Sequence, residues 1–260
     1  MSRASAVLVV LLVAGLAAIL FWPQRTGEGD APFAAAGVTL RTYTESGDPS
    51  WEVRAREGVV VGEAGTLSDV EIVFLSGDEV TMTAIAEQLT QAERTSTLAG
   101  GVTVERSDGL HLEADELVLR EDEETLYADA IALSVRDLHV EGEGFAYDLG
   151  SERATLSRNV VATLDRDPPV TVRGERAEES DDVLAVEGDV RVETSDGEYR
   201  CDRIEAEEES VRLLGDVAGT FAEGDLRADS VRIDEDGRLI AEGGVLLRLD
   251  LGREEAPDGA

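Results

Sequence analysis

The chain has 260 residues, enough for one large domain or two ordinary ones. Its formal net charge is −34 and it contains no lysine, so nucleic acids are excluded as partners because their phosphates would be repelled. The same charge opposes electrostatic attachment to an anionic membrane surface. The acidity fits a high-salt habitat and a GC-rich genome equally well. Disorder is excluded because 42% of the residues are hydrophobic and they recur regularly.

An uncharged apolar segment, residues 4–22, stands between Arg3 and Arg25. As a helix it would span about 28 Å, close to the hydrocarbon thickness of a bilayer. We therefore predict an N-terminal transmembrane anchor over residues 1–22, with a cytoplasmic N-terminus and an exported body. A cleaved signal peptide is the alternative, which the length of the apolar segment disfavours. The anchor residues expected to contact lipid or the membrane interface are Val7, Leu11, Leu16 and Trp22.

Residues 23–36 carry Pro, Gly and acids without periodicity and are predicted to form a linker. From Gly37 onward, apolar and polar residues alternate, as they do around Val102 and Val104. A period of two is typical of half-buried strands. The alternation continues to about residue 252, and residues 253–260 are predicted to be a disordered tail.

The alternating segments form a repeat of two strands. Each unit contains a tight-turn signal, such as Asp108-Gly109, and most units close with a small residue, an acid, any residue and an apolar residue, as at 114–117. One apolar position recurs at separations of 27 to 32 residues. These periodic apolar positions are Val70, Val102, Ile131, Val160, Val190, Val217 and Val245.

A repeat of this length indicates a stacked array in which no unit buries its apolar face alone. We predict an all-β fold: an elongated antiparallel twisted β-jelly-roll of about seven two-strand repeats, preceded by one transmembrane helix. A parallel β-helix is the alternative, disfavoured because Asp-Gly hairpin turns join antiparallel strands. Both ends of the stack carry an unpaired edge that invites a partner strand. On the last strand the docking candidates are Val245, Leu247 and Leu249.

The sequence offers no site for catalysis, a metal or a cofactor. His111 and His139 alternate with apolar neighbours and are expected on the wet face of their strands, without the further ligands that a metal site needs. Residues 234–237 are predicted to form a hairpin turn rather than a calcium loop. Cys201 is interpreted as a small buried apolar residue. No nucleophile, phosphate-binding or dinucleotide motif is present.

Several segments and their order resemble the LptC family of membrane-anchored periplasmic lipopolysaccharide export proteins. The resemblance starts with the apolar N-terminal segment and linker, and continues in the motifs at residues 37–40 (GVTL), 51–55 (WEVRA), 67–70 (LSDV) and 101–104 (GVTV). The repeat itself is similar to the wider OstA/LptA-like group. Residues 37–165 are interpreted as the LptC-like β-jelly-roll and residues 166–252 as additional OstA/LptA-like repeats that continue the stack.

The resemblance implies a single-pass inner-membrane protein whose C-terminal domain lies in the periplasm. It would accept lipopolysaccharide, or a similar glycolipid, from an inner-membrane ABC transporter and pass it to an LptA-like bridge protein. The alternative is a structural or adhesive cell-envelope repeat protein with a dry core and no lipid cargo. An envelope polysaccharide enzyme is a weaker third hypothesis. The candidate residues for the lipid groove are Val102, Val104, Leu110, Leu112, Ile131, Leu133 and Val135.

Overall fold

The computed structural model describes residues 33–249, apart from short gaps at 44–48, 62–63, 77–78, 93, 152, 166–167, 181–182, 196, 208–209, 223 and 235–237. The predicted membrane anchor, with Val7, Leu11, Leu16 and Trp22, lies outside the described residues, as does the predicted tail. Within the described part of the chain, no helix has the length and apolar character needed to cross a membrane.

The described residues form seventeen strands. They are β1 (Phe33–Tyr43), β2 (Pro49–Val61), β3 (Ala64–Ser76), β4 (Glu79–Ala92), β5 (Thr95–Arg106), β6 (Leu110–Arg120), β7 (Thr125–Val135), β8 (Leu138–Asp148), β9 (Arg153–Leu164), β10 (Val170–Gly174), β11 (Arg176–Ser180), β12 (Val183–Glu193), β13 (Gly197–Ala206), β14 (Ser210–Phe221), β15 (Gly224–Asp234), β16 (Leu239–Glu242) and β17 (Leu246–Leu249).

All strands belong to one sheet, and every pairing is antiparallel. From β1 to β9 each strand pairs with the next. β10 and β11 both pair with β9 and β12, so together they occupy one strand position, and β16 and β17 share one position beside β15. The all-β, antiparallel prediction is confirmed, and the parallel β-helix alternative is wrong. The first strand begins at Phe33, four residues earlier than predicted, because Phe33 and Ala34 pair with Val60 and Val59.

Most strands bend near the middle, and the bend changes which residues point inward. In β6, Leu110 and Leu112 are buried before the bend, and Leu117 and Leu119 are buried after it. The inward positions therefore switch from even to odd numbers within one strand. The neighbouring β5 has one more residue than β6 at the bend and keeps even-numbered inward positions, from Leu98 to Val102, so the two strands differ as expected at a β-bulge.

The bend is made by glycine in one strand and an acid in the next. Gly100 and Gly101 have φ values of 86° and 74° and face the single residue Asp115 in β6. On the other side, the Glu87 side chain lies 2.5 Å from where a Cβ on Gly100 would be. No residue with a side chain fits that position, and the left-handed φ also favours glycine. The small-acid-x-apolar motif of the sequence is thus the partner of the glycine bulge.

The periodic apolar positions are the first inward residues after these bends. Val102 follows Gly101, Val190 follows Asp189 at φ 42°, and both are at most 1% exposed. The first six positions in the series are buried, and Val245, the seventh, is 50% exposed. The inward residues of both halves of the sheet join one core cluster that extends from β2 to β15. The bent sheet therefore closes on itself, each half covering the other.

The turn at Asp108-Gly109 differs from the predicted two-residue hairpin. The loop from β5 to β6 has three residues, and Gly109 at φ 90° is the only one of them with a positive φ. The Gly109 amide donates to the carbonyl of Arg106 at 3.0 Å, and Asp108 accepts from the guanidinium of Arg106 at 2.6 Å. The turn lies where the sequence predicts it, with a left-handed residue only at its last position.

The N-terminal edge strand is attached to β2 by an ion pair as well as by backbone bonds. Glu52 of β2 is 4% exposed and accepts from Arg41 Nε of β1 at 2.6 Å and from Arg54 Nε at 2.6 Å. Hydrogen bonds from Arg41 and then Arg54 hold the pKa of Glu52 below its usual range. An unpaired carboxylate at this position would be costly to bury, so both arginines stabilise it, and the bond from Arg41 links β1 to β2.

Replacing a bend glycine is expected to destabilise the sheet. At Gly215, φ is 78° and a Cβ would lie 2.3 Å from Asp202 Oδ2. We expect Gly215→Ala to lower the free energy of unfolding by about 2 kcal/mol, measured by urea denaturation. Gly65→Ala is the matched control, because the nearest atom to its Cβ would be 3.9 Å away and its φ is ordinary. Equal midpoints for the two variants would contradict this account of the bend.

Acidification is expected to loosen the N-terminal edge. Because the folded-state pKa of Glu52 is depressed, its contribution to stability is full above the unfolded pKa of about 4.3 and is lost as the pH falls through the folded value. Glu52→Gln should therefore lower stability at pH 7 and reduce the loss on acidification, measured by urea unfolding over a pH series. Glu57→Gln, at a side chain that is 63% exposed, should do neither.

Candidate functional site

The seven predicted groove residues lie together on the inward face of β5, β6 and β7. Val104 pairs with Leu112, and Leu112 pairs with Leu133, so the residues form rows across neighbouring strands. The side chains of Leu133 and Val135 are half-buried against the core. The other five are at most 7% exposed: Val102, Val104, Leu110, Leu112 and Ile131.

The opposite wall of this interior was not predicted from the sequence. It is made by the other half of the same strands, on the far side of each bend from the seven predicted residues. The small-acid-x-apolar motif marks some of these residues, since its last member is the first inward residue after the bend in β6. The alternation before the bend does not reveal them, because its phase changes at the bend. The buried residues of this wall are Leu98, Leu117, Leu119, Leu126 and Phe145.

The interior is closed and apolar in this structure. Val104 is 0% exposed, and its neighbour Leu112 is 5% exposed. Among the described residues, the buried polar or charged side chains are Glu52, Ser96 and Thr125, and Glu52 is on the outward face with its two arginines. The sequence left open whether the interior holds a gap or is packed, and the structure shows it packed around these residues.

An open groove of about 650 Å³ lies on the outward side of the bends in β5 to β9. Its lining includes four carboxylates and five apolar side chains, among them the predicted groove residues Val102 and Ile131. Carboxylates at this density repel phosphate groups. This groove is therefore a poor site for the phosphate groups of a lipid. The carboxylates are those of Glu113, Asp115, Glu141 and Glu143.

Both histidines lie on the outward face, as predicted. His111 Nε2 is 3.0 Å from Glu113 Oε1, and His139 Nε2 is 2.9 Å from Glu141 Oε1. His139 Nδ1 is also 2.7 Å from the hydroxyl of Ser134, which lies between the two histidines in the sheet. Within residues 33–249 and outside the gaps, no three His, Cys, Asp or Glu side chains are arranged to hold a metal ion.

Cys201 is a buried residue of β13, which confirms its interpretation as part of the core. Its side chain is 5% exposed, and burial raises the pKa of the thiol to about 11. A thiol with that pKa remains protonated at neutral pH and is a poor nucleophile. Cys201 fills the small position that precedes the acid of its repeat.

The two edges of the sheet differ in what they expose. Among the described strands, β1 pairs with β2 alone, and its inward residues Val38 and Leu40 are half-buried against the core. β17 pairs with β15 on one side, and the structure describes no strand on its other side. The predicted docking residues Val245, Leu247 and Leu249 are exposed there at 50%, 53% and 49%.

Among the described residues, the C-terminal edge also lacks one of the two acids that flank the glycine bulge of β5. Gly243 and Gly244 have φ values of 70° and 50°, and the Asp229 side chain of β15 takes the position of a Gly243 Cβ. In β5, the equivalent Gly100-Gly101 pair has an acid on each side, Glu87 and Asp115. Among the described residues, the C-terminal bulge therefore has an acid on one side only.

A comparison with curated protein sequences finds no significant match. A family model described as lipopolysaccharide-assembly, LptC-related, matches residues 5–165. The match covers more than half of the chain and includes the predicted membrane anchor and strands β1 to β9. With its bent antiparallel sheet and closed apolar interior, the chain belongs to the LptC-related family of lipopolysaccharide-assembly proteins.

Proposed function

We propose that this protein accepts lipopolysaccharide, or a similar glycolipid, from an inner-membrane ABC transporter and passes it along the interior of the bent sheet to an LptA-like bridge protein. The observation that carries this proposal is the apolar interior, which is continuous from β2 to β15 and lies between β1 and β17, the edge strands among the described residues. Family membership supports lipopolysaccharide as the cargo. The proposed groove residues are the seven on β5 to β7.

Entry of an acyl chain requires the two halves of the sheet to separate, because the inward side chains are in contact. The bends are the natural hinge for this motion, since several have glycine at left-handed φ and a register shift in the strand pairing, as at Gly100-Gly101. The lost contacts between the halves are replaced by contacts with the acyl chain. Opening therefore exposes little apolar surface to water once the acyl chain is inside.

Burial of one acyl chain of about twelve carbons would contribute nearly 10 kcal/mol, at about 0.8 kcal/mol per methylene. A carrier that held its cargo with this free energy at a single site would not release it. The repeat solves this problem because successive strands offer equivalent inward residues, such as Val102, Val190 and Val217 after their bends. Each step along the interior then exchanges one apolar site for another of similar affinity.

The C-terminal edge is proposed to receive a strand of the bridge protein. In earlier repeats, the residues at the equivalent positions are covered by the next strand. At the C-terminal edge the corresponding side chains are exposed, namely those of Val245, Leu247 and Leu249. Among the described residues, the bulge at Gly243-Gly244 lacks the second acid that flanks the equivalent bulge in β5. The incoming strand is therefore expected to carry the small-acid-x-apolar motif and to extend the sheet by backbone pairing.

The second candidate is a structural or adhesive cell-envelope protein with a dry core. The packed interior favours it, since solvent reaches neither Val104 nor Ile72, which are both 0% exposed. The two hypotheses differ in whether the halves open in the cell, so a test must detect lipid inside the folded protein.

The first test places a photocrosslinking residue at Leu112 or at His111 in cells. The two positions are adjacent in β6, but Leu112 points inward and His111 points outward, with 39% of its side chain exposed. We expect a lipopolysaccharide adduct at Leu112 and none at His111, detected by immunoblot. Absence of an adduct at both positions in folded, inserted protein would reject lipid transport in favour of the dry-core hypothesis.

The second test measures docking at the C-terminal edge. Leu247→Glu places a charge in the proposed interface and should weaken binding of the purified LptA-like bridge protein about tenfold, equivalent to about 1.4 kcal/mol. Ile85→Glu is the matched control, because Ile85 is also 53% exposed but lies inside the sheet on β4. If both variants lost binding equally, or if both bound as well as the unmodified protein, β17 would not be the docking strand.

A further inference from the structure

The sheet continues beyond the end of the family match through β10 and β11, whose pairing with β9 is interrupted only at the bend between them. β9 is the last strand within the match, and its second edge is occupied by β10 and β11 of the same chain. The Glu175 side chain, between β10 and β11, occupies the space that a Cβ on Gly188 of β12 would need. The interruption is therefore the same acid-on-glycine bend that is found within longer strands. No edge is left free at β9 for another protein.

The bends of this C-terminal extension, β10 to β17, use the same contacts as those of the matched part. Asp202 of β13 lies against Gly215 of β14, and Asp229 of β15 lies against Gly243. Because the contact is the same, the extension bends in the same way and closes over the same interior. The strands after β9 are thus continuous with the earlier ones in both geometry and chemistry.

The interior is also continuous. Val190, Leu213 and Val217 are at most 2% exposed, and they belong to the same cluster as Val104 and Leu112. Among the described residues of β10 to β15, every fully buried side chain is apolar or the Cys201 thiol. An acyl chain that moves from β9 into the extension would meet apolar side chains near the bends, whereas towards the end of β11 it would meet the half-buried Glu179, which pairs with Leu184 and Ala154.

We propose, on the basis of the transport function above, that β10 to β17 continue the acyl-chain path within the same chain and move the hand-off point from β9 to β17. The ligand is the acyl part of a glycolipid, with its charged head group outside the acidic sheet. Six strand positions of about 4.8 Å place the exit edge about 29 Å beyond β9. The extension thus serves as a built-in segment of the bridge.

The test uses the full chain in cells, with the photocrosslinking residue at Leu213 of β14 or at its neighbour Arg212. Leu213 is 2% exposed and points inward, whereas the Arg212 side chain is 46% exposed. We expect a lipopolysaccharide adduct at Leu213 and none above background at Arg212. Direction is tested by a block upstream: Leu112→Arg should abolish the adduct at Leu213, whereas Leu213→Arg should leave the adduct at Leu112 unchanged.

Folding of each variant is checked by protease resistance, and Leu133→Arg, at a half-buried position beside Leu112, replaces Leu112→Arg if that variant does not fold. An adduct at Leu112 without one at Leu213 would overturn the extension of the path and leave the proposed function intact. An adduct at Leu213 that persists when the upstream block is present would also overturn it, because lipid would then enter by another route. Absence of both adducts would reject the proposed function itself.

Discussion

The contact between an acidic side chain and a glycine bulge on the next strand is the constraint on which the rest of the structure depends. At Gly100, Gly188, Gly215 and Gly243, the position of a Cβ is taken by a Glu or Asp side chain. The bulged strand keeps its inward parity across the bend, as from Leu98 to Val102, whereas the strand that supplies the acid changes parity, as from Leu112 to Leu117. Without the bend, the sheet would expose one apolar face to solvent. With it, the two halves cover each other and form one core from β2 to β15.

The same contact explains how a very acidic chain builds an apolar interior. Acids occupy the bends and the outward face, where many are paired with arginine, as in Glu193 with Arg173 at 2.6 Å. Exposed pairs of this kind contribute little stability individually. The remaining negative charge faces solvent and disfavours phosphate groups there. Lipid recognition, under the proposed function, thus depends on the acyl chains, while the outward surface keeps the protein soluble and directs contacts to the strand edges.

The repeated bend makes the interior uniform along the stack. Periodic positions such as Val70, Val160 and Val217 are equally buried, at 1% to 2% exposure. The series ends at Val245, which is 50% exposed because no strand within the described residues covers it. A sheet made of equivalent units has no intrinsic last strand. Its edge therefore remains able to accept another strand of the same type.

The sequence by itself determined the all-β class, the two-strand repeat, the family and the outward position of His111, because alternation, turns and motifs are local properties. It also placed Leu112 on the inward face. Only the tertiary structure decided that Leu117 and Leu119 line the opposite wall, since the inward positions of β6 change parity at its bend. Closure of the interior was likewise decided by tertiary structure, because it depends on contact between the two halves of the bent sheet, and alternation within one strand carries no information about that contact.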